Sequence, residues 1–235
     1  MRTLALPQAH EHEPNCVRQV PIFSGLTAQQ QDLVASLARP VVLSPGEFVY
    51  RADEQPGQIA VVHTGQVKLS RIMPSGRQRL LRVVEPGETL GEHTFLSGDN
   101  TVDEATAMTQ TQLCIFSHDK LFALIKDYPD IAIRMLQTLN ERLAQTERAL
   151  ALTSLSLDVR LADFLLEQPL LTSSATAWRV RLPLRKKDIA SLLGTTPESL
   201  SRALARLEAK RLISIDDDVV TFHDLEGLED LVTNA

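Results

Sequence analysis

Two groups of side chains in this sequence have the types and the spacing to do chemistry. The first is Glu198-Ser199-Leu200-Ser201-Arg202, near the carboxyl end. A carboxylate at Glu198 can accept from a cytosine amino group, a guanidinium at Arg202 can grip guanine O6 and N7 with two bonds, and the Ser201 hydroxyl can reach either kind of base edge. Glu198 and Arg202 are four residues apart, so on a helix they share a face and can also pair with each other. Ser199 stands outward beside them. Lys186, Lys187, Arg206, Lys210 and Arg211 would contact phosphates, which hold register without reading sequence. The second group is His10, His12 and Cys16, with Glu11 and Glu13 between. Joined by Cys114 it offers two nitrogens and two sulfurs, a four-coordinate donor set suited to zinc, iron or copper. The same Cys16 and Cys114 could serve as a thiol switch. Against these stand plainer readings: a cysteine is commonly just a buried apolar residue, and a His-rich start is commonly solvated.

The base-reading group needs a helix presented outward, and the flanking sequence supplies the signals for one. Asp188 is placed to cap a first helix, and Ile189, Leu192 and Leu193 are spaced for one buried face. Gly194 can turn the chain because it tolerates positive φ. Thr195 or Thr196 can cap a second helix, with Pro197 at its first position and Glu198 in its first turn. Burying Leu200, Ala203, Leu204 and Leu207 leaves the reading residues outside. This is the order of signals of a DNA-reading helix-turn-helix, preferred over an amphipathic hairpin with a solvated charged face. Asp158 to Gln168 reads as a helix before it, and Leu170 to Trp178, rich in Ser, Thr and Ala, as a loop. Arg179 to Leu184 and Leu212 to Phe222 read as strands, with Asp216-Asp217-Asp218 as a wing turn. His223 to Val232 reads as a closing helix.

Net charge is −6, which alone speaks against a nucleic-acid partner. Its distribution reverses that: residues 179–211 hold nine Lys/Arg and three Asp/Glu, a net of +6, leaving −12 for the remainder. A basic patch on an acidic body is an electrostatic footprint for DNA with limited non-specific binding. No apolar run approaches the roughly 18 residues of a membrane span, and the start is too short in apolar residues for a signal peptide. Two cysteines do not make a secreted disulfide framework, so a cytoplasmic protein is expected.

Upstream, residues 1–19 show no period and form a tail that carries the His/Cys group. Val20 to Ala38 reads as a short helical lead-in with Thr27 as a cap. From Val41 to Ser117 apolar runs of four to six residues alternate with Pro/Gly turn signals, the pattern of a sandwich or barrel; residues 20–128 thus form a strand-rich domain, closed by a helix from His118 to Tyr128. Residues 129–157 read as one long helix. Ala132, Leu136, Leu139, Leu143, Thr146, Leu150, Thr153 and Leu157 are spaced alternately four and three apart, a coiled-coil seam that predicts a homodimer. A dimer also supplies the two half-sites that this class of reader needs. Residues 158–235 complete the DNA-binding domain.

With those residues in view, the chain resembles the CRP/FNR superfamily of bacterial transcription regulators. LPLRKKDIASLLGTTPESLSRALARLEAKRLI is similar to its DNA-binding segment, and Glu198, Ser201 and Arg202 to the readers of the FNR branch. The glycines at 46, 57, 65, 76, 87, 91 and 98 resemble the turn glycines of its cyclic-nucleotide-binding jelly-roll. The resemblance implies an α+β chain: a jelly-roll β-barrel, a long dimerisation helix and a winged helix-turn-helix. It also implies an FNR-like palindrome with TTGA-type half-sites, and RNA polymerase as a partner.

A regulator of this kind needs an input, and three present themselves. Cyclic-nucleotide binders resemble one another in a Gly-Glu start followed by an Arg-Ser or Arg-Thr pair that takes the phosphate. Here Gly91-Glu92 is followed by Asn100-Thr101-Val102-Asp103-Glu104, with acids where the Arg belongs, which argues against a cyclic nucleotide. An iron–sulfur cluster of the FNR type uses four cysteines, and this chain has two, so other ligands would have to replace thiolates. Cys16-Val17-Arg18-Gln19-Val20-Pro21-Ile22-Phe23 closely matches the FLP subgroup, the FNR-like proteins of Gram-positive bacteria. That resemblance implies redox sensing by a reversible disulfide of Cys16 and Cys114, with bound metal as an alternative use of the same residues. His93 and His118 are spare candidates, His93 as a haem ligand. Enzymatic activity is not expected: no general base accompanies the His/Cys group, and catalytic sites seldom rest on a chain terminus.

Overall fold

The computed structural model describes residues 17, 20–54, 57–174 and 177–234, with side chains omitted at 172–174 and 177. It divides into two compact units, Met1–Glu141 and Arg142–Ala235.

The first unit opens on a 3₁₀ turn, Pro21–Phe23, and helix α1, Ala28–Leu37. Thr27 caps α1 in a reciprocal box: its backbone N–H donates to Gln30 Oε1 at 2.8 Å, and Gln30 N–H donates to Thr27 Oγ1 at 3.4 Å. Eight strands follow: β1 (Arg39–Leu43), β2 (Phe48–Tyr50), β3 (Gln58–Thr64), β4 (Val67–Ile72), β5 (Gln78–Val84), β6 (Thr89–Leu90), β7 (Glu104–Ala107) and β8 (Thr111–Ser117). They form two antiparallel four-stranded sheets, ordered β1-β8-β3-β6 and β2-β7-β4-β5. A short helix α2, Glu92–Ser97, interrupts them after β6. Helices α3 (His118–Asp127) and α4 (Asp130–Leu152) come next, the latter running across the division between the units.

The two faces of β3 and β8 explain why those strands read as unbroken apolar runs. Successive strand residues point to opposite faces. Ala60, Val62 and Leu113 join Tyr50, Val67, Val84, Leu90 and Ala105 between the sheets. Ile59, Val61, Cys114 and Phe116 face the other way, into a cluster completed by Ile22, Phe23, Phe95, Leu121, Ile131 and Met135. A sheet covered on both faces loses the polar–apolar alternation of a half-exposed one.

In the second unit α5 (Leu157–Leu166) is followed by β9 (Leu170–Ser174) and β10 (Ala177–Arg181), then α6 (Lys186–Leu192), α7 (Pro197–Ala209), β11 (Ile213–Asp216), β12 (Val219–Phe222) and α8 (Leu225–Thr233). The strands form one sheet, ordered β11-β12-β10-β9. The wing turn falls at Asp217, with φ 55.

Three expectations are corrected. The long helix ends at Leu152, so Thr153 and Leu157 lie outside it. The reason is local: Thr153 Oγ1 donates to Leu150 O at 2.6 Å and Ser154 Oγ to Ala151 O at 3.1 Å, while Ser156 Oγ accepts from Val159 N–H and starts α5. The expected loop from Leu170 to Trp178 is instead a hairpin, in which Trp178 pairs with Ser173 and, on its other side, with Phe222. Finally, Asp188 does not cap α6; Arg185 is the cap residue and Asp188 sits in the first turn, where an acid still suits the helix dipole.

Candidate nucleic-acid interface and sensing site

Gly194, at φ 65, ends the first helix of the reader. The following N–H, of Thr195, returns to Ala190 O at 2.8 Å. Thr196 then caps α7 by accepting from Ser199 N–H at 3.2 Å, and Pro197 occupies the first turn. Leu200, Ala203, Leu204 and Leu207 are buried as expected. They lie in one core with Leu165, Val180, Ile189 and Val220. That core fixes α7 so that Glu198, Ser201 and Arg202 are exposed and Ser199 is half-buried.

The outward residues form a short chain of hydrogen bonds. Thr196 Oγ1 donates to Ser199 Oγ at 3.2 Å, and Arg202 Nη2 donates to the same oxygen at 3.2 Å. Ser201 Oγ donates to Pro197 O at 2.9 Å, which leaves its lone pairs as acceptors. The backbone N–H of Glu198 first, then the neighbouring Thr196 side chain and a smaller attraction from Arg202, hold the Glu198 carboxyl below the usual carboxylate range. A carboxylate and a guanidinium one helical turn apart, on the exposed face at the amino end of a helix, match the hydrogen-bonding groups of major-groove base edges. Lys186 and Lys187 are exposed at the start of α6. Arg206 is placed differently from a bare phosphate contact: its Nε donates to both Asp158 oxygens, at 3.1 and 3.0 Å, and its Nη2 to Asp158 Oδ1.

Sequence reasoning missed the ion pairs around α5. Arg148 Nη2 donates to Asp163 Oδ1 at 2.6 Å, and its Nη1 stands 3.3 Å from Glu167 Oε1. The available signal was Asp163 itself, an acid among Leu161, Ala162, Phe164 and Leu165. A buried carboxylate there needs a partner, and Asp163 is 6% exposed.

In the barrel, Cys114 is 7% exposed on β8, paired in register with Pro40 on one side and Val61 on the other. It is a half-cystine in this structure. Val17 and Val20 are buried in the same cluster. Cys16, His10 and His12 lie outside the described residues. Among the described residues no group of three or more His, Cys, Asp or Glu could hold a metal ion. His93 is exposed on α2, and the His118 ring lies between Phe95 and Phe122, with centroids 4.9 and 5.5 Å away.

Gly91 caps α2 at φ 91, where an added Cβ would meet Gln58 O at 2.5 Å. Glu92 behind it is buried and accepts from Thr89 Oγ1. Burial, then the Glu92 charge, pushes the Tyr50 hydroxyl well above the usual phenol range. In the segment after it, Asp103 takes a fork from Arg71, with Nε at 2.6 Å and Nη2 at 3.1 Å, and Glu104 accepts from Gln78 and Ser70. Leu136, Leu143 and Leu150 on α4 are 65%, 56% and 68% exposed in the single chain. Leu139 is half-buried and lines a cleft with Ile22, Ile59, Thr89, Glu92 and Met135. Thr146 turns its hydroxyl to Arg142 O at 2.8 Å. No described helix is long and apolar enough to cross a membrane.

A two-sheet barrel and, after it in the chain, a winged helix-turn-helix give the architecture of a two-domain DNA-binding regulator. Residues 40–128 match the family model of the cyclic nucleotide-binding domain, and residues 159–231 that of the Crp-like helix-turn-helix domain. The chain is 29% identical, over 88% of its length and 94% of the relative's, to the CRP-like cAMP-activated global transcriptional regulator of Mycobacterium tuberculosis. It is also 29% identical to the flp protein of Lacticaseibacillus casei, named as a transcriptional regulator, over 92% of this chain and 97% of that one. Among solved structures, a Ruegeria pomeroyi protein carrying the name of a cyclic nucleotide binding protein is 30% identical, covers 96% of this chain and 99% of its own, and has a TM-score of 0.57. CooA from Carboxydothermus hydrogenoformans, at 19% identity and a TM-score of 0.75 over 85% of this chain and 89% of its own, shares the fold. The chain belongs to the CRP/FNR family of transcription regulators. It is a DNA-binding regulator, and the relatives named as such are regulators rather than enzymes.

Proposed function

We propose that this regulator reads an FNR-like palindrome as a homodimer and responds to redox state through Cys16 and Cys114. The observation that carries the signal half is the seating of Cys114. It lies in the cluster that also buries Val17, the residue next to Cys16 in sequence. Making or breaking a covalent bond there changes how the amino-terminal segment lies on the barrel. Such a change biases α4 between two arrangements, so that the two readers match or miss the half-site spacing. A metal ion is the other use of these residues. It would draw its further ligands from His10, His12 and Cys16, and it competes with the disulfide because an oxidised pair cannot ligate as thiolates.

The reading half rests on Glu198, Ser201 and Arg202, exposed on the first turns of α7, with Lys186 and Lys187 toward the backbone. The exposed leucines of α4 support a dimer, since an apolar stripe at seam spacing has to be covered. A cyclic nucleotide is disfavoured by the segment after Gly91-Glu92. Its two acids are already matched to Arg71, Gln78 and Ser70, and a phosphate arriving there meets carboxylates.

The test is a gel shift on a duplex with two TTGA-type half-sites, with wild-type and Cys114→Ser protein under reducing and oxidising conditions. Wild type should change affinity several-fold between the two states, and Cys114→Ser should give one affinity in both. A variant that still responds like wild type removes the thiol switch.

A further inference from the structure

Helix α5 is held by ion pairs on opposite sides. Asp158 and Glu167 are nine residues apart, which at 100° per residue places them about 180° apart around the axis. On one side Asp158 takes the forked guanidinium of Arg206 from α7. On the other, Asp163 and Glu167 share the guanidinium of Arg148, which comes from the last turns of α4. A third tie runs from Arg160 Nη1 to Leu193 O, the carbonyl at the end of α6. The carboxylates belong to α5 and its C-cap, and their guanidinium partners come from α4 and α7. All of these residues lie within the second unit.

We propose that α5 is an ionic bracket that sets the recognition helix against the end of the long helix, with Arg148, Asp158 and Asp163 as positioning residues for DNA reading. This rests on the DNA-reading function proposed above. The chain leaves α4 through Thr153-Ser154-Leu155-Ser156, a polar turn whose own hydrogen bonds are local. Such a turn joins two helices without fixing the angle between them. A planar guanidinium that engages two carboxylates one helical turn apart does fix it, because a fork tolerates little rotation. Asp163 adds directionality. Its side chain is 9% exposed, against 60% for Arg148, so the acid cannot turn to water when the arginine withdraws. The connecting helix therefore follows α4, and Asp158 passes that placement to Arg206 on α7. In this arrangement Arg206 is a strut rather than a phosphate contact.

The bracket matters only when two readers must meet two half-sites at once; a single half-site needs one reader in any orientation. The full-length protein is titrated, by fluorescence anisotropy, into a palindromic duplex and into a duplex with one half-site. Arg148→Ala should lower the palindrome-to-half-site affinity ratio about tenfold, a modest part of the avidity that two linked sites give. Half-site affinity should stay within about twofold, and Arg148→Lys, which matches the Asp163 charge but has no fork, should recover only a minor part of the ratio. Should Arg148→Ala melt below the assay temperature, Arg148→Gln, which removes both the fork and the charge but keeps a polar side chain, is read in the same way. An unchanged ratio, or equal losses on both duplexes as from a domain that is merely destabilised, overturns the bracket. A wild-type protein that prefers neither duplex to random DNA overturns the DNA reading, and the bracket with it.

Discussion

The recognition helix and the strand that carries Cys114 hold their reactive groups in opposite ways. On α7 one face is core and the other is chemistry: Leu200, Ala203, Leu204 and Leu207 are buried, while Glu198, Ser201 and Arg202 are exposed. On β8 both faces are core. Leu113 lies between the sheets, Cys114 lies under the helices, and each is covered. A helix with one exposed face sorts its residues by role, and a strand covered on both faces does not. The contrast teaches where a function declares itself in one dimension. A base-reading group must reach a partner outside the protein, so polarity and period separate it from its support. A switch buried in a barrel looks like the core that surrounds it.

The comparison makes quantitative demands. Its largest is on the support of α7. Leu207 is fully buried beside Leu165, Val180 and Phe222. Truncation leaves a cavity, so Leu207→Ala should cost about 2–5 kcal/mol of stability, read as a lowered midpoint of denaturant unfolding. A loss under about 1 kcal/mol would mean that α7 does not depend on this core.

The next demand is on the exposed face. Arg202→Ala should leave stability within about 0.5 kcal/mol, as a surface change does. It should remove about 1–3 kcal/mol of discrimination at one guanine of each half-site. Competition binding against duplexes with single-base changes measures this directly. If Arg202→Ala keeps the wild-type ranking of duplexes, Arg202 is not a base reader and the two faces of α7 are not sorted as described.

The legibility of the fold follows the same contrast. Thr27, Gly194, Thr196 and Pro197 act through the backbone of their own neighbourhood, and each marked its helix boundary in the sequence. The boundary at Leu152 did not show, because the heptad spacing runs through Thr153 and Leu157. Only the hydroxyls of Thr153, Ser154 and Ser156, competing for backbone groups, reveal the stop. The hairpin of β9 and β10 reads as a loop in sequence since its first strand is Ser- and Thr-rich and pairs on the edge of the sheet. In the candidate sites, Glu198, Ser201 and Arg202 were legible as one group because they are close in sequence. Arg206 and Asp158, 48 residues apart, were not. A lone Arg at helical spacing looks the same whether a phosphate or a carboxylate takes it.

That last ambiguity yields the smallest and most discriminating prediction. In sequence Lys187 and Arg206 both look like phosphate contacts, and they occupy different surroundings. Lys187 is exposed in the first turn of α6, whereas Arg206 is forked onto Asp158. Each phosphate contact releases condensed counterions, so losing one reduces the slope of log affinity against log salt by about 0.9. Lys187→Ala should show that change, with a small loss of affinity that is uniform across duplex sequences, since a phosphate contact carries no sequence information. Arg206→Ala should leave the salt slope close to wild type, because its charge is already matched within the protein. Equally reduced slopes for the two variants would place both on DNA, and the Asp158 pair would then be a contact that the duplex displaces. Distinct slopes would separate the arginine that braces the recognition helix from the lysine that touches the backbone it lies against.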